Sequence, residues 1–156
     1  RASPSSELRV AGPLIVFANK GNAVDPFTAH SRILLPVNGS PQSRRGAEVA
    51  FALSRATGAH VHALFVSQSE GRSRTRLREE RVLKEMMELG DRYNASVTTR
   101  ISPPATAADA ILKESRRNFA MIVMGVSARP GDDLFFGTTA TKVLRNWERP
   151  ILFLAS

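Results

Sequence analysis

Two rhythms of apolar residues alternate between residues 32 and 155. Ile33-Leu34-Leu35-Pro36-Val37 is an unbroken apolar run, the mark of a strand buried on both faces. Ser40 then caps a helix, and Pro41 suits its first turn because the missing N–H costs nothing there. The helix runs to about Thr57, where Gly58 supplies a left-handed stop. Val61 to Val66 reads as a second strand. A helix from about Ser73 to Tyr93 carries the stripe Val82, Met86, Leu89 and Tyr93 at helical spacing. Val97, Thr99 and Ile101 alternate with Thr98 and Arg100, which predicts a half-buried strand. Pro103-Pro104 breaks the chain, and Thr106 with Asp109 forms a capping box for a helix through Arg117. Met121 to Met124 is another fully buried strand. A loop from Gly125 to Phe136 leads to a helix carrying Ala140, Val143, Leu144 and Trp147, which Pro150 ends. Ile151 to Leu154 is the last strand.

Five strands alternating with four helices predict an α/β fold of three layers: an open, twisted, parallel five-stranded sheet with helices on both faces. Ligands of such sheets bind beyond the carboxyl ends of the strands, at the switch point. The loops after Val37 and after Met124 are therefore the ones to watch. Residues 1–30 follow neither rhythm. Ser3-Pro4-Ser5-Ser6 is linker-like, and Gly12-Pro13 and Asp25-Pro26 are breaks. Leu14-Ile15-Val16-Phe17 has the makings of one strand, but no neighbour is joined to it by a tight turn. The expected division is an extension over 1–30 and one domain over 31–156.

Length and composition fit that division. The chain has 156 residues, 42% of them hydrophobic and 23% charged, which is the composition of one globular domain. No apolar run approaches the ~18–20 residues of a membrane span. The absence of Cys removes disulfides, thiolate metal sites and cysteine nucleophiles, and fits a cytoplasmic setting. The chain opens on Arg1 without a signal-peptide pattern, so the domain is expected to follow another segment. Net charge is +8, and 18 of the 22 basic residues are Arg. The densest stretch, Arg72, Arg74, Arg76, Arg78 and Arg81, is interspersed with Glu70, Glu79 and Glu80. It predicts a solvated, salt-bridged helix face. No aromatic residues interleave with these arginines, which argues against nucleic acid as a partner.

Most chemical signatures are missing. There is no Walker-type loop, no G-x-G-x-x-G, no G-x-S-x-G and no H-E-x-x-H. No catalytic residue emerges. His60 and His62 share one strand face, a spacing that can hold zinc, but no third ligand is near, so they read as ordinary packed or surface histidines. His30 has no local partner. The acceptor patterns Asn38-Gly39-Ser40 and Asn94-Ala95-Ser96 read as chance matches, and Met86, Met87, Met121 and Met124 read as core filler. One constellation differs. Met124-Gly125 ends a buried strand, and Gly137-Thr138-Thr139 opens a helix. A glycine lets a ligand approach the backbone, and a helix start offers free N–H groups. Together they form an anion cradle suited to phosphate. The competing account is that Gly125 makes a tight turn and Thr138 is only a cap.

On these residues the chain resembles the universal stress protein family over 32–155. The marks are Arg32-Ile33-Leu34-Leu35-Pro36-Val37-Asn38-Gly39-Ser40, then Ile122-Val123-Met124-Gly125, then Gly137-Thr138-Thr139-Ala140-Thr141-Lys142-Val143-Leu144-Arg145 with Pro150-Ile151-Leu152. The resemblance implies the adenine nucleotide alpha hydrolase-like strand order 3-2-1-4-5 and a dimer through the last strand. It implies ATP or another adenine nucleotide as ligand, with Mg accompanying it. One branch of the family carries G-x-x-G-x9-G-[ST]. Gly125, Gly137 and Thr138 match it, Ala128 replaces its second Gly, and the loop is one residue short. Pro36, Val37 and Val66 fall at the implied adenine pocket, Asn38 stands where the family has Asp, and Met124, Gly125, Ala128, Gly137, Thr138 and Thr139 fall at the phosphates. Asp132 and Asp133 would repel phosphate and Arg129 would attract it. The implied function is a regulatory domain binding ATP, ADP or AMP weakly. The alternative, favoured by Ala128, the short loop and Asn38, is a nucleotide-free dimerisation or protein–protein module. Slow ATP hydrolysis lacks a residue to orient water. The Phe135-Phe136-Gly137 loop is similar to the cytosolic tails of bacterial cation/proton antiporters, which makes a membrane transporter on the same polypeptide an expected partner. Finally, an outermost Ile151–Leu154 strand would be a sticky edge, and pairing with a second subunit would cover it.

Overall fold

The computed structural model describes residues 14–20, 28–67, 73–127 and 137–155. Strands are β1 (Leu14–Ala18), β2 (Arg32–Val37), β3 (His60–Val66), β4 (Val97–Ser102), β5 (Met121–Val126) and β6 (Ile151–Ala155). Helices are α1 (Pro41–Thr57), α2 (Ser73–Arg92), α3 (Ala107–Ser115) and α4 (Gly137–Asn146). The local signals act as expected. Ser40 Oγ accepts from the Ser43 N–H at 3.1 Å, and Pro41 takes the first position of α1. Gly58 closes α1 at φ 80°, its N–H donating to Ser54 O at 2.7 Å. Thr106 caps α3 through the Asp109 N–H, while the Asp109 carboxylate instead reaches Lys142 on α4 at 2.7 Å.

The sheet runs β1-β6-β5-β2-β3-β4. Read without β1, that is the implied order 3-2-1-4-5 counted from the other edge, and all pairings among those five strands are parallel. One face packs Ile33, Leu35, Val61 and Val123 against Phe51 of α1 and Met86 of α2. The other packs Leu34, Ile122 and Phe153 against Ile111 of α3 and Val143 of α4. Met86, Met121 and Met124 are buried as expected, whereas Met87 faces solvent at 38% exposure. Glu79 departs from the solvated face read for its stretch. It is buried and accepts from the Ser67 hydroxyl, while Arg76, Arg78, Glu80 and Arg81 are exposed.

The sixth strand corrects the five-strand expectation. Leu14–Ala18 lies in the stretch set apart as an extension, yet it pairs antiparallel with β6, from Leu14 opposite Ala155 to Ala18 opposite Ile151. Val16 and Ala18 pack on the α3/α4 side, and Lys20 ties the far end to Arg145 O and Glu148. The last strand is therefore not outermost. Its free edge, the premise for a dimer through it, is covered by β1 of the same chain, and Phe153 is fully buried. Removing residues 1–20 uncovers an apolar edge, which proteins normally protect. Self-association of the shortened chain through β6 is the expected result, and light scattering of the two chains checks it. A shortened chain as monodisperse as the full one at equal concentration would refute this.

Candidate functional site

β2 and β5 pair only through Ile33–Met121 and Leu34–Ile122. Past Leu34 the two strands part, and Pro36, which has no N–H to donate, lies in the parted segment. A cleft of about 420 Å³ opens at that switch point. Its apolar lining includes Pro36, Val37, Val66, Ile111 and Met124. Asn38, Ser40, Gln42, Ser43, Ser127, Thr138 and Thr139 supply polar groups, and Gly125 and Gly137 leave backbone open. Nine of the ten residues singled out from sequence thus line one cleft. The tenth, Ala128, lies outside the described residues, as do Arg129, Asp132, Asp133, Phe135 and Phe136.

Three helices begin at this cleft. Ser40, Gln42 and Ser43 come from the start of α1, Ala107 is the first residue of α3, and Gly137 to Ala140 open α4. Their N-termini bring positive dipole ends together at one cleft. Among the described residues, the lining contains no Asp, Glu, Lys or Arg. Asn38 is already partly committed. Its Oδ1 accepts from the Ser40 N–H at 2.9 Å, and its own N–H donates to Ser43 Oγ at 3.3 Å. The side-chain amide of Asn38 therefore keeps its NH₂ donors and one oxygen lone pair for a ligand.

The two glycines of the cradle have different physical reasons. A Cβ on Gly125 would stand 1.8 Å from Gln42 O, so Gly125 is where α1 lies directly on β5. Among the described residues nothing lies within 4 Å of a Cβ on Gly137, but φ is +77°, a left-handed conformation costly for other residues. Sequence reasoning missed Ser40, Gln42, Ser43, Ala107, Ile111, Val126, Ser127 and Ala140. The N-cap role of Ser40 and its neighbours just past a strand end was the available signal.

The histidines sit at the other end of the sheet. Among the described residues no group of three His, Asp or Glu is arranged to hold a metal. His60 contacts Ser96 and Thr98, His62 contacts Thr98 and Glu114, and His30 is exposed. Burial, then the Arg32 charge, holds His60 below its ordinary value of 6.5. Burial also holds His62 below that value, outweighing the attraction of Glu114, with Arg32 acting in the same direction as burial. Both groups bind protons more weakly folded than unfolded. Stability is thus complete above the unfolded value and declines as pH falls below 6.5. The denaturant midpoint is expected to drop on acidification in the wild type and to drop less in His62→Gln. Equal pH profiles would contradict this.

The universal stress protein family model matches residues 30–154. The chain belongs to the universal stress protein family. A search of curated proteins finds no relative of this chain. Among solved structures, the chain is similar to the universal stress protein from Archaeoglobus fulgidus in complex with dAMP, with TM-score 0.68, 15% identity, and coverage of 81% of this chain and 99% of that one. A universal stress family protein from Burkholderia pseudomallei gives TM-score 0.65 at 20% identity, covering 82% and 98%. A universal stress protein in complex with cAMP gives 0.61 at 17% identity, covering 81% and 97%. At these identities the likeness concerns the fold.

Proposed function

We propose that the cleft binds an adenine nucleotide weakly, and that the domain is a regulatory binding module rather than an enzyme. The observation that carries this is the convergence of three helix N-termini on an apolar-floored cleft at the switch point. Two universal stress proteins of this fold are recorded with dAMP and with cAMP. Adenine would lie against Pro36, Val37 and Val66, and phosphate against the N–H groups after Gly125 and at Gly137 to Thr139. Asn38 would offer its NH₂ to an acceptor on the ligand. With Ala128 in place of Gly and no cationic side chain among the described lining residues, affinity is expected to be micromolar to millimolar, about −4 to −8 kcal/mol.

Among the described residues the lining offers no carboxylate to hold Mg²⁺, which takes one or two besides phosphate oxygens. AMP and ADP are therefore expected to bind without Mg²⁺ and about as well as ATP. No described lining side chain is a general base, so ATP turnover is not part of this reading. Calorimetric titration with AMP, ADP and ATP, in Mg²⁺ and in EDTA, tests it. Binding that vanishes in EDTA would overturn the metal-free reading. No heat with any of the three would favour the alternative, a protein–protein module. The similarity to antiporter tails makes a membrane transporter on the same polypeptide the proposed partner. No helix among the described residues is long and apolar enough to cross a membrane, so any such span lies elsewhere.

A further inference from the structure

Past the last turn of α3, the α3-side face of β3 and β4 carries a continuous polar chain. Ser96 Oγ lies 2.7 Å from His60 Nδ1, and His60 Nε2 lies 2.9 Å from Thr98 Oγ1. Thr98 Oγ1 lies 2.8 Å from His62 Nδ1, and His62 Nε2 faces Glu114 Oε2 at 3.7 Å. Glu114 is 5% exposed, and its other oxygen holds Arg117 at 3.0 Å and Arg100 at 3.5 Å. Phe119 stacks on the His62 ring and carries the Arg32 guanidinium 4.3 Å from its centroid.

Hydrogen-bond logic orients this chain. The Glu114 carboxylate 3.7 Å away, too far for a hydrogen bond, favours electrostatically the tautomer with the proton on His62 Nε2, and Nδ1 is then the acceptor of the neutral ring. Thr98 must give its proton to that Nδ1. Its oxygen is left to accept from His60 Nε2–H, and His60 Nδ1 in turn accepts from Ser96. The threonine hydroxyl thus has one outlet for its proton, a neutral imidazole aligned by a buried carboxylate. This is the arrangement of an activated hydroxyl nucleophile: nucleophile, base, and a third group that orients the base. Thr98 and Ser96 are exposed, so a small reagent reaches them from solvent. Arg100 follows Thr98 by two residues on β4 and pairs with Glu114, while the Arg32 guanidinium lies over Phe119 and donates to Arg117 O.

We propose that Thr98 is an acyl-acceptor site for small activated acyl esters, with His62 as general base and Glu114 as its positioning residue. In the step, Thr98 Oγ1 bonds to the acyl carbonyl carbon and its proton passes to His62 Nδ1. The bond from that carbon to the leaving-group oxygen then breaks, and the leaving alcohol or phenol takes the proton from His62. The product is an O-acyl threonine. The proposal does not depend on nucleotide binding.

The probe is p-nitrophenyl acetate, with peptide mapping by mass spectrometry of the full chain near neutral pH. Thr98 is expected to gain one acetyl group well before Thr99, its exposed neighbour on the opposite face of β4. Losing a general base costs about a hundredfold in rate, so His62→Gln is expected to slow Thr98 acetylation by that order while lysine adducts are unchanged. Glu114→Gln is expected to slow it less and to shift its pH profile. Thr98→Ser keeps the reaction at that position. If His62→Gln fails to fold, the Thr98-to-Thr99 ratio in the wild type decides. Acetyl groups on lysines, histidines and the N-terminus alone, or Thr98 reacting no faster than Thr99, overturn the proposal.

Discussion

Replacing Phe153 by Asp is expected to unfold the domain rather than to dissociate a dimer. Phe153 is fully buried between β6 and the α3/α4 layer, with Val16 of β1 opposite it in the strand register. Removing a buried phenylalanine costs about 3–5 kcal/mol. Burying an unpaired carboxylate in its place adds several kcal/mol more. Against a domain stability of roughly 5–15 kcal/mol, the sum removes the folded state. Far-ultraviolet circular dichroism and a thermal melt check it. Phe17→Asp, by contrast, alters a strand position that is 52% exposed and is expected to fold. A folded, monomeric Phe153→Asp chain would show that β6 lies at a free surface and that β1 does not cover it.

The second large effect separates the two glycines of the cleft. Gly125→Ala places a methyl 1.8 Å from Gln42 O and 2.7 Å from Ser43 N, both backbone atoms at the start of α1. That contact is relieved only by moving α1 off β5, where Gly46 also packs so closely that a Cβ on it would stand 2.9 Å from Gly125 N. Losses of this overpacking kind run to about 3 kcal/mol or more. Gly137→Ala meets no atom of the described residues, but it must hold φ at +77°, at about 1 kcal/mol. Denaturant melts of the two variants are expected to differ clearly, Gly125→Ala being far the worse. Equal losses would contradict the packing of α1 on β5.

These expectations show where sequence and structure diverge. The unbroken runs at Ile33–Val37 and Met121–Met124, with caps at Ser40 and Thr106, place the parallel sheet because each signal is local. The apolar run of β1 was legible as a strand, but its place in the sheet was not. Its partner β6 is at the other end of the chain, and no turn chemistry announces a long-range antiparallel pair. The cleft was legible through Asn38, Gly125 and Gly137, since strand ends and helix starts mark a switch point. The reason for Gly125 was not, because a close approach by α1 leaves no trace in spacing. The fate of His60 and His62 depends on Thr98 and Glu114, which the fold brings in from β4 and α3.

The central claim is that the switch-point cleft takes the adenine nucleotide, and backbone chemical-shift mapping during AMP titration tests it most directly. Perturbations should centre on Asn38 to Ser43, Gly125 to Ser127 and Gly137 to Thr139, and Thr138→Trp, an exposed lining position, should abolish them while the rest of the spectrum stays folded. No saturable change at millimolar AMP, or changes centred instead on His60, His62 and Thr98, would contradict it.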